Sequence, residues 1–194
     1  RFLGILHEHA LRLNRLLEDL LTLSAIEMGD TPLRLETLKM ADAVDAALTI
    51  LDVRLQEKNL SLSKDLPPDL PPVRADRDRL AQILLNVLDN AVKFTPPGGA
   101  LSVTAAGKDG EVVLRIADTG VGIAEEDQIA IFEKFRQGKS VLTGGDAMTR
   151  EYSGTGLGLS IVQQYVNLHE GRIRLESEEG QGTAFIVELP LNRA

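Results

Sequence analysis

Apolar residues at the start of the chain recur every three or four places. Leu3, Leu6, Ala10, Leu13, Leu17, Leu20 and Ser24 form a heptad seam, widened by Leu16 and Leu23. Glu8, Arg12, Arg15 and Asp19 occupy the opposite, solvated face. This period predicts one amphipathic helix over 1–28 whose stripe needs a partner helix, from the same protein or from a second subunit. Gly29 is a natural stop, and 29–32 forms a short hinge. Beyond it the period changes repeatedly. Residues 33–38 and 60–64 alternate as strands, and 40–59 has Ala43, Ala47, Ile50 and Leu51 on one helical face. The proline-rich stretch 65–72 is extended loop. A helix over 77–93 buries Leu80, Ile83, Leu84, Val87, Leu88 and Ala91. Period two in Leu101, Val103 and Ala105, and again in Val112, Leu114 and Ile116, predicts a hairpin around Lys108-Asp109-Gly110. Residues 137–154 have no apolar period and read as a loop, followed by a helix over 157–169 and strands over 172–177 and 183–189. The interleaving predicts an α+β fold: a two-layer α/β sandwich, one mixed sheet packed on helices, preceded by the long amphipathic helix.

Composition narrows the partners. The chain has 194 residues, 43% hydrophobic and 26% charged, enough for a buried core. Its net charge of −8 disfavours nucleic acid and requires local cations or a metal wherever a polyanion binds. The absence of cysteine excludes disulfides and thiolate metal sites. No apolar run approaches the ~18 residues of a membrane span. The chain begins at Arg1, inside a helical pattern, so it reads as a fragment. It is expected to be cytoplasmic, with any membrane attachment made only through segments upstream.

Three stretches carry candidate chemistry. Asn86, Asn90 and Lys93 fall on one stripe of the 77–93 helix, although Asn is a poor helix former. Amide oxygens suit Mg²⁺ and a lysine one turn on suits phosphate, but two solvated asparagines explain the stripe as simply. Asp118-Thr119-Gly120-Val121-Gly122 leaves an apolar strand. An ionised Asp there only accepts hydrogen bonds, so it would take an adenine amino proton and reject guanine; an ordinary turn is the plain alternative. Gly154-Thr155-Gly156-Leu157-Gly158-Leu159 opens a helix whose bare N–H groups favour phosphate. It is neither a Walker nor a Rossmann turn. Between these lie Phe132 and Phe135, which could anchor a loop, with Arg136, Lys139 and Arg150 as cations. Gly180-Gln181-Gly182-Thr183 enters the last strand.

The order of these motifs resembles the catalytic ATP-binding domain of sensor histidine kinases, within the Bergerat-fold ATPase superfamily, over 33–191. The first helix is similar to the second helix of that family's dimerisation and phosphotransfer hairpin, giving 1–28 as hairpin helix, 29–32 as hinge and 33–194 as catalytic domain. The resemblance implies ATP and Mg²⁺ as ligands. Asn90 would ligate the metal with Asn86 beside it, Lys93 would touch phosphate, and Phe94 would lie against adenine. Asp118 would read the amino group with Thr183 in support, and Gly120 and Gly122 would let base and sugar approach. Arg136 and Gly154, Thr155, Gly156, Leu157 and Gly158 would engage phosphates as the 137–153 loop closes, although its 141–146 stretch is atypical. The activity implied is transfer of the γ-phosphoryl group to a histidine, then to a response regulator receiver domain, within a homodimeric parent protein. The acceptor histidine belongs to a hairpin helix absent here. His7, His9 and His169 lack its flanking pattern, with His169 read as a dipole-favoured helix end, so no autophosphorylation is expected. Two alternatives stand. An ATP-hydrolysing member of the superfamily would carry Glu where this chain has Asn86, and a degenerate docking module would bind nucleotide weakly or not at all.

Overall fold

One long helix, α1 (Phe2–Glu27), opens the computed structural model, which describes residues 2–29, 31–136 and 155–191. The predicted loop 137–153, with Lys139 and Arg150, and also Gly154, lies outside the described residues, as do the side chains of Leu3, Glu8 and Arg12. After α1 come β1 (Leu35–Leu38), α2 (Met40–Glu57), β2 (Ser61–Asp65), β3 (Val73–Asp76) and α3 (Arg77–Phe94). The hairpin β4 (Ala100–Lys108) and β5 (Glu111–Asp118) leads into two single 3₁₀ turns, Glu125–Asp127 and Ala130–Phe132. Helix α4 (Gly158–Leu168) and strands β6 (Arg172–Glu178) and β7 (Gly182–Pro190) complete the fold.

The main sheet has the order β2-β4-β5-β7-β6. Its β2–β4 pair is parallel and the others antiparallel, so the sheet is mixed as expected. Strand β3 was not legible in the sequence, because four residues with only Val73 and Ala75 apolar give too short a period. It pairs with β1 in a separate two-stranded ribbon, so the 33–38 strand does not join the main sheet. On α2 the buried face is Met40, Val44, Ala47, Leu48, Leu51 and Leu55, while Ile50 is 65% exposed, correcting its predicted burial. All six predicted apolar positions of α3 are buried, joined by Val92.

Asp76 starts α3. Its carboxylate accepts from the Asp78 and Arg79 amides at 3.1 Å each and from the Arg34 amide at 2.8 Å, tying the ribbon to the helix. Burial opposes its ionisation, but the Arg34 amide, with those of Arg79 and Asp78 and the Arg79 charge, outweighs that and holds the carboxyl below its ordinary value. Asp76→Ala is expected to cost about 1–2 kcal/mol in urea unfolding. Because the folded value is depressed, the stabilisation is present above the ordinary carboxylate value and lost as pH falls through the lowered one. His169, the residue after α4, is buried: its Nε2 accepts from the Asp76 amide at 3.0 Å and its Nδ1 donates to the Tyr165 carbonyl at 2.7 Å. It caps the helix end as expected, and these two bonds fix it there.

Helix α1 docks on this body by its C-terminal half. Leu23 and Ile26 enter the core, and Leu16 packs at its edge. Thr155 Oγ donates to Asp19 Oδ2 at 2.8 Å, Thr22 bonds the Tyr165 hydroxyl, and Lys134 pairs with Glu27. The predicted seam points elsewhere: Leu6, Leu13, Leu17 and Leu20 are exposed. Asp19, predicted on the solvated face, is half-buried against Thr155, because the rest of the fold takes a different side of the helix from the seam.

Candidate functional site

The α3 stripe is built on a strongly buried underside. Above Ile83, Val87 and Ala91, which are buried, Asn86, Asn90, Lys93 and Phe94 remain half-buried and accessible from one side. Lys93 Nζ stands 4.8 Å from the Phe94 ring centroid, within cation–π range. The end of the helix is fixed from behind. Lys58 Nζ donates to the carbonyls of Val92, Lys93 and Thr95 at 2.8, 2.9 and 2.8 Å, three acceptors that a helix C-terminus otherwise leaves unpaired.

Asp118 closes β5 beside this helix end. Its Oδ1 accepts from the Gly120 amide at 2.8 Å. Burial pushes its carboxyl above the ordinary value, opposed by the amides of Gly120 and Thr183. Thr183 lies directly opposite Asp118 in the β5–β7 register and is buried. The Val121 amide donates to the Phe94 carbonyl at 3.3 Å, joining the Asp118 loop to α3. A Cβ on Gly120 would stand 2.6 Å from both the Phe94 carbonyl oxygen and Asp118 Oδ1. At Gly122 φ is +68° and a Cβ would overlap the Glu178 carbonyl. Both glycines therefore serve the packing of this loop against its own protein, a need that the motif alone did not disclose.

The glycine run meets the same helix about two turns before its end, at Asn86. A Cβ at Gly158, the first residue of α4, would come 3.3 Å from Asn86 Oδ1. Leu157 is fully buried and its amide is capped by Thr155 Oγ at 3.3 Å. Gly156, at φ +72°, offers its carbonyl to the Phe135 amide at 3.0 Å. Phe132 packs edge-on against Phe185 with centroids 6.4 Å apart, but Phe135 is 62% exposed and anchors by its main chain alone. Arg136 is exposed and pairs with Glu133 at 3.2 Å.

Asn86, Phe94, Asp118, Gly120, Thr183 and Gly158 thus border the second half of α3, from Asn86 to its end. Among the described residues no group of three His, Asp or Glu side chains could hold a metal by itself, so a cation here would depend on amide oxygens and a co-bound anion. Three contributors were missed in the sequence: Lys58, Asp19 and Ser177. Each acts through a partner distant in sequence or on another strand, and no local period marks them. Among the described residues no helix is long and apolar enough to cross a membrane.

Comparison with known proteins places these features. The family described as histidine kinase-, DNA gyrase B- and HSP90-like ATPase matches residues 75–193. The circadian input-output histidine kinase CikA of Synechococcus elongatus is 37% identical over 191 residues, 97% of this chain and 24% of the relative. Histidine protein kinase DivJ of Caulobacter vibrioides is 40% identical over 187 residues, 96% of this chain and 30% of the relative. The chain therefore spans less than a third of either. Full-length ShkA, solved in complex with AMPPNP, superposes with a TM-score of 0.82 at 32% identity over 97% of this chain and 38% of that one. The Acinetobacter baumannii histidine kinase AdeS superposes at 0.78 with 28% identity over 99% and 84%.

Proposed function

The chain belongs to the histidine kinase-, DNA gyrase B- and HSP90-like ATPase family, and we propose that it is the ATP-binding catalytic part of a two-component sensor histidine kinase. It passes the γ-phosphoryl group of ATP to a histidine of a dimerisation hairpin, for relay to the receiver domain of a response regulator. In this reading 1–28 is a hairpin helix, 29–32 a hinge and 33–194 the catalytic domain of a homodimeric parent. The observation that carries it is the placement of the half-buried Asn86/Asn90/Lys93 stripe, the half-buried Asp118 and the glycine start of α4 along the second half of α3. The AMPPNP held by ShkA, and the family shared with it, support ATP as the ligand.

Each residue has a physical task in this proposal. Asp118 accepts from the adenine amino group, with Thr183 beside it, while Phe94 covers one face of the base. Gly120 and Gly122 let the loop that follows Asp118 pack tightly against its own protein beside that pocket. Lys93, Arg136 and N–H groups of the 154–158 run, other than the Leu157 amide that Thr155 Oγ already takes, hold phosphate oxygens, the run helped by the α4 dipole. Asn90, with Asn86, would hold Mg²⁺ together with the phosphates, and neutral oxygen ligands without an acidic cluster fit an ion that arrives with its nucleotide. When bound, that ion offsets charge on the transferring group. Positioning of the phosphates by these donors supplies the rest, and reconciles a −8 chain with a polyanionic substrate. Asn86 has no proton-accepting carboxylate, which argues against water activation and hence against the hydrolase alternative.

Calorimetric titration with AMP-PNP, with and without Mg²⁺, tests the proposal. Saturable binding that prefers adenine and weakens without metal supports it. No binding at millimolar nucleotide would overturn it in favour of a docking module. Incubated with ATP, the chain is expected to carry no phosphohistidine at His7, His9 or His169, as read by mass spectrometry. For His169 the reason is physical: both ring nitrogens are engaged in the fold.

A further inference from the structure

Ser177 sits on β6 at the back of Thr183, in none of the motifs recognised above. Three contacts converge on its hydroxyl. The Ile123 amide donates to Ser177 Oγ at 2.9 Å, the Gly182 carbonyl lies 3.0 Å away, and Thr183 Oγ lies 2.9 Å away. A serine hydroxyl has one proton and two lone pairs. A carbonyl can only accept, so the Ser177 proton goes to Gly182. One lone pair is taken by the Ile123 amide. What remains for Thr183 is the second lone pair, so the Thr183 hydroxyl must be the donor. The arrangement is held rigidly, since Gln128 Nε2 bridges the carbonyls of Ile123 and Ser177 at 3.0 and 2.8 Å.

We propose that Ser177 is a positioning residue for base selection: by taking the Thr183 proton it leaves Thr183 with acceptor capacity only, next to the Asp118 carboxylate. Two acceptors side by side match an exocyclic amino group and oppose a carbonyl oxygen, so the pair favours adenine over any 6-oxopurine. Without Ser177 the Thr183 hydroxyl is free to turn and donate to a carbonyl. The inference rests on the ATP-site reading and goes past it, because it makes base discrimination depend on a side chain that touches no ligand.

The test is calorimetric titration of the 194-residue chain with ADP and with inosine diphosphate, whose base carries a carbonyl where adenine carries the amino group. Ser177→Ala is expected to lower the preference for ADP by about tenfold, the worth of one hydrogen bond changing sign. Ser177→Thr, which keeps the oxygen, is expected to restore it. Thr183→Val is expected to lower the preference similarly, and adding Ser177→Ala to Thr183→Val is expected to change it no further. An unchanged preference in both Ser177→Ala and Thr183→Val, or an equal further loss in the double variant, would overturn the proposal. If Ser177→Ala does not fold, Thr183→Val alone decides, since it leaves the Ile123 and Gly182 bonds in place. Failure of the wild-type chain to bind either nucleotide would instead overturn the ATP-site reading, and this inference with it.

Discussion

Asp118→Asn is expected to weaken ADP binding by on the order of 100-fold, about 3 kcal/mol, without lowering the melting temperature. The two effects separate because Asp118 is costly to the fold and necessary to the ligand. Burial raises its carboxyl above the ordinary value, so the fold favours the protonated form. For a raised group the stability contribution is complete below the unfolded value and lost as pH rises through the folded one, so at neutral pH the ionised side chain is a net cost. Asn removes that cost and can still accept from the Gly120 amide. It also replaces an acceptor with an NH₂ donor, which faces the adenine amino group unfavourably and suits a 6-oxopurine. Binding therefore follows the opposite sign from stability. ADP affinity of the wild-type chain falls as pH is lowered through the raised value, and that decline is absent in Asp118→Asn. Titration calorimetry across pH, beside thermal melts of both proteins, checks this. A wild-type affinity that stays flat into the acid range would exclude Asp118 as the base-reading acceptor.

Gly120→Ala is expected to act on the same site by crowding. The added methyl would meet the Phe94 carbonyl oxygen and Asp118 Oδ1 at 2.6 Å, and the Phe94 carbonyl carbon at 3.0 Å. The side-chain carboxylate is the softer neighbour, so Asp118 turns away and loses the Gly120 amide. Overpacking of this kind costs about 1–3 kcal/mol of stability, and the displaced carboxylate is expected to reduce ADP affinity at least about tenfold. Urea unfolding and titration of one preparation read both losses. A variant that melts lower but binds ADP normally would separate Gly120 from the site.

Most of the fold was legible because its elements carry strong periods. Helix α3 announces itself through six buried apolar positions, and the β4–β5 hairpin through strict alternation around Asp109 and Gly110, both at positive φ. Strand β3 failed because a four-residue strand has no period to read, and Ile50 because a helical face was drawn one position too wide. The outline of the site was legible from spacing within α3 and from its glycines. Its supports were not. Lys58 meets carbonyls some 34 to 37 positions later, and Ser177 meets Ile123 across 54. Such contacts depend on tertiary placement, and one sequence gives them no local signature. The glycines show the converse: the motif singles out Gly122 for a ligand, but its φ of +68° and the nearby Glu178 carbonyl explain the choice without one.

Helix α1 presents two sectors that cannot both be served in every orientation. Leu16, Leu23 and Ile26 meet the rest of the fold, while Leu6, Leu13, Leu17 and Leu20 line a seam roughly 100° further round at 3.6 residues per turn. Whatever holds the seam therefore sets the angle at which the other sector faces its neighbour. Turning the helix about its long axis would swing Asp19 past Thr155 and Glu27 past Lys134, the partners of its two polar contacts there. A twist of the rod would therefore break both pairs together, as a cam moves its followers.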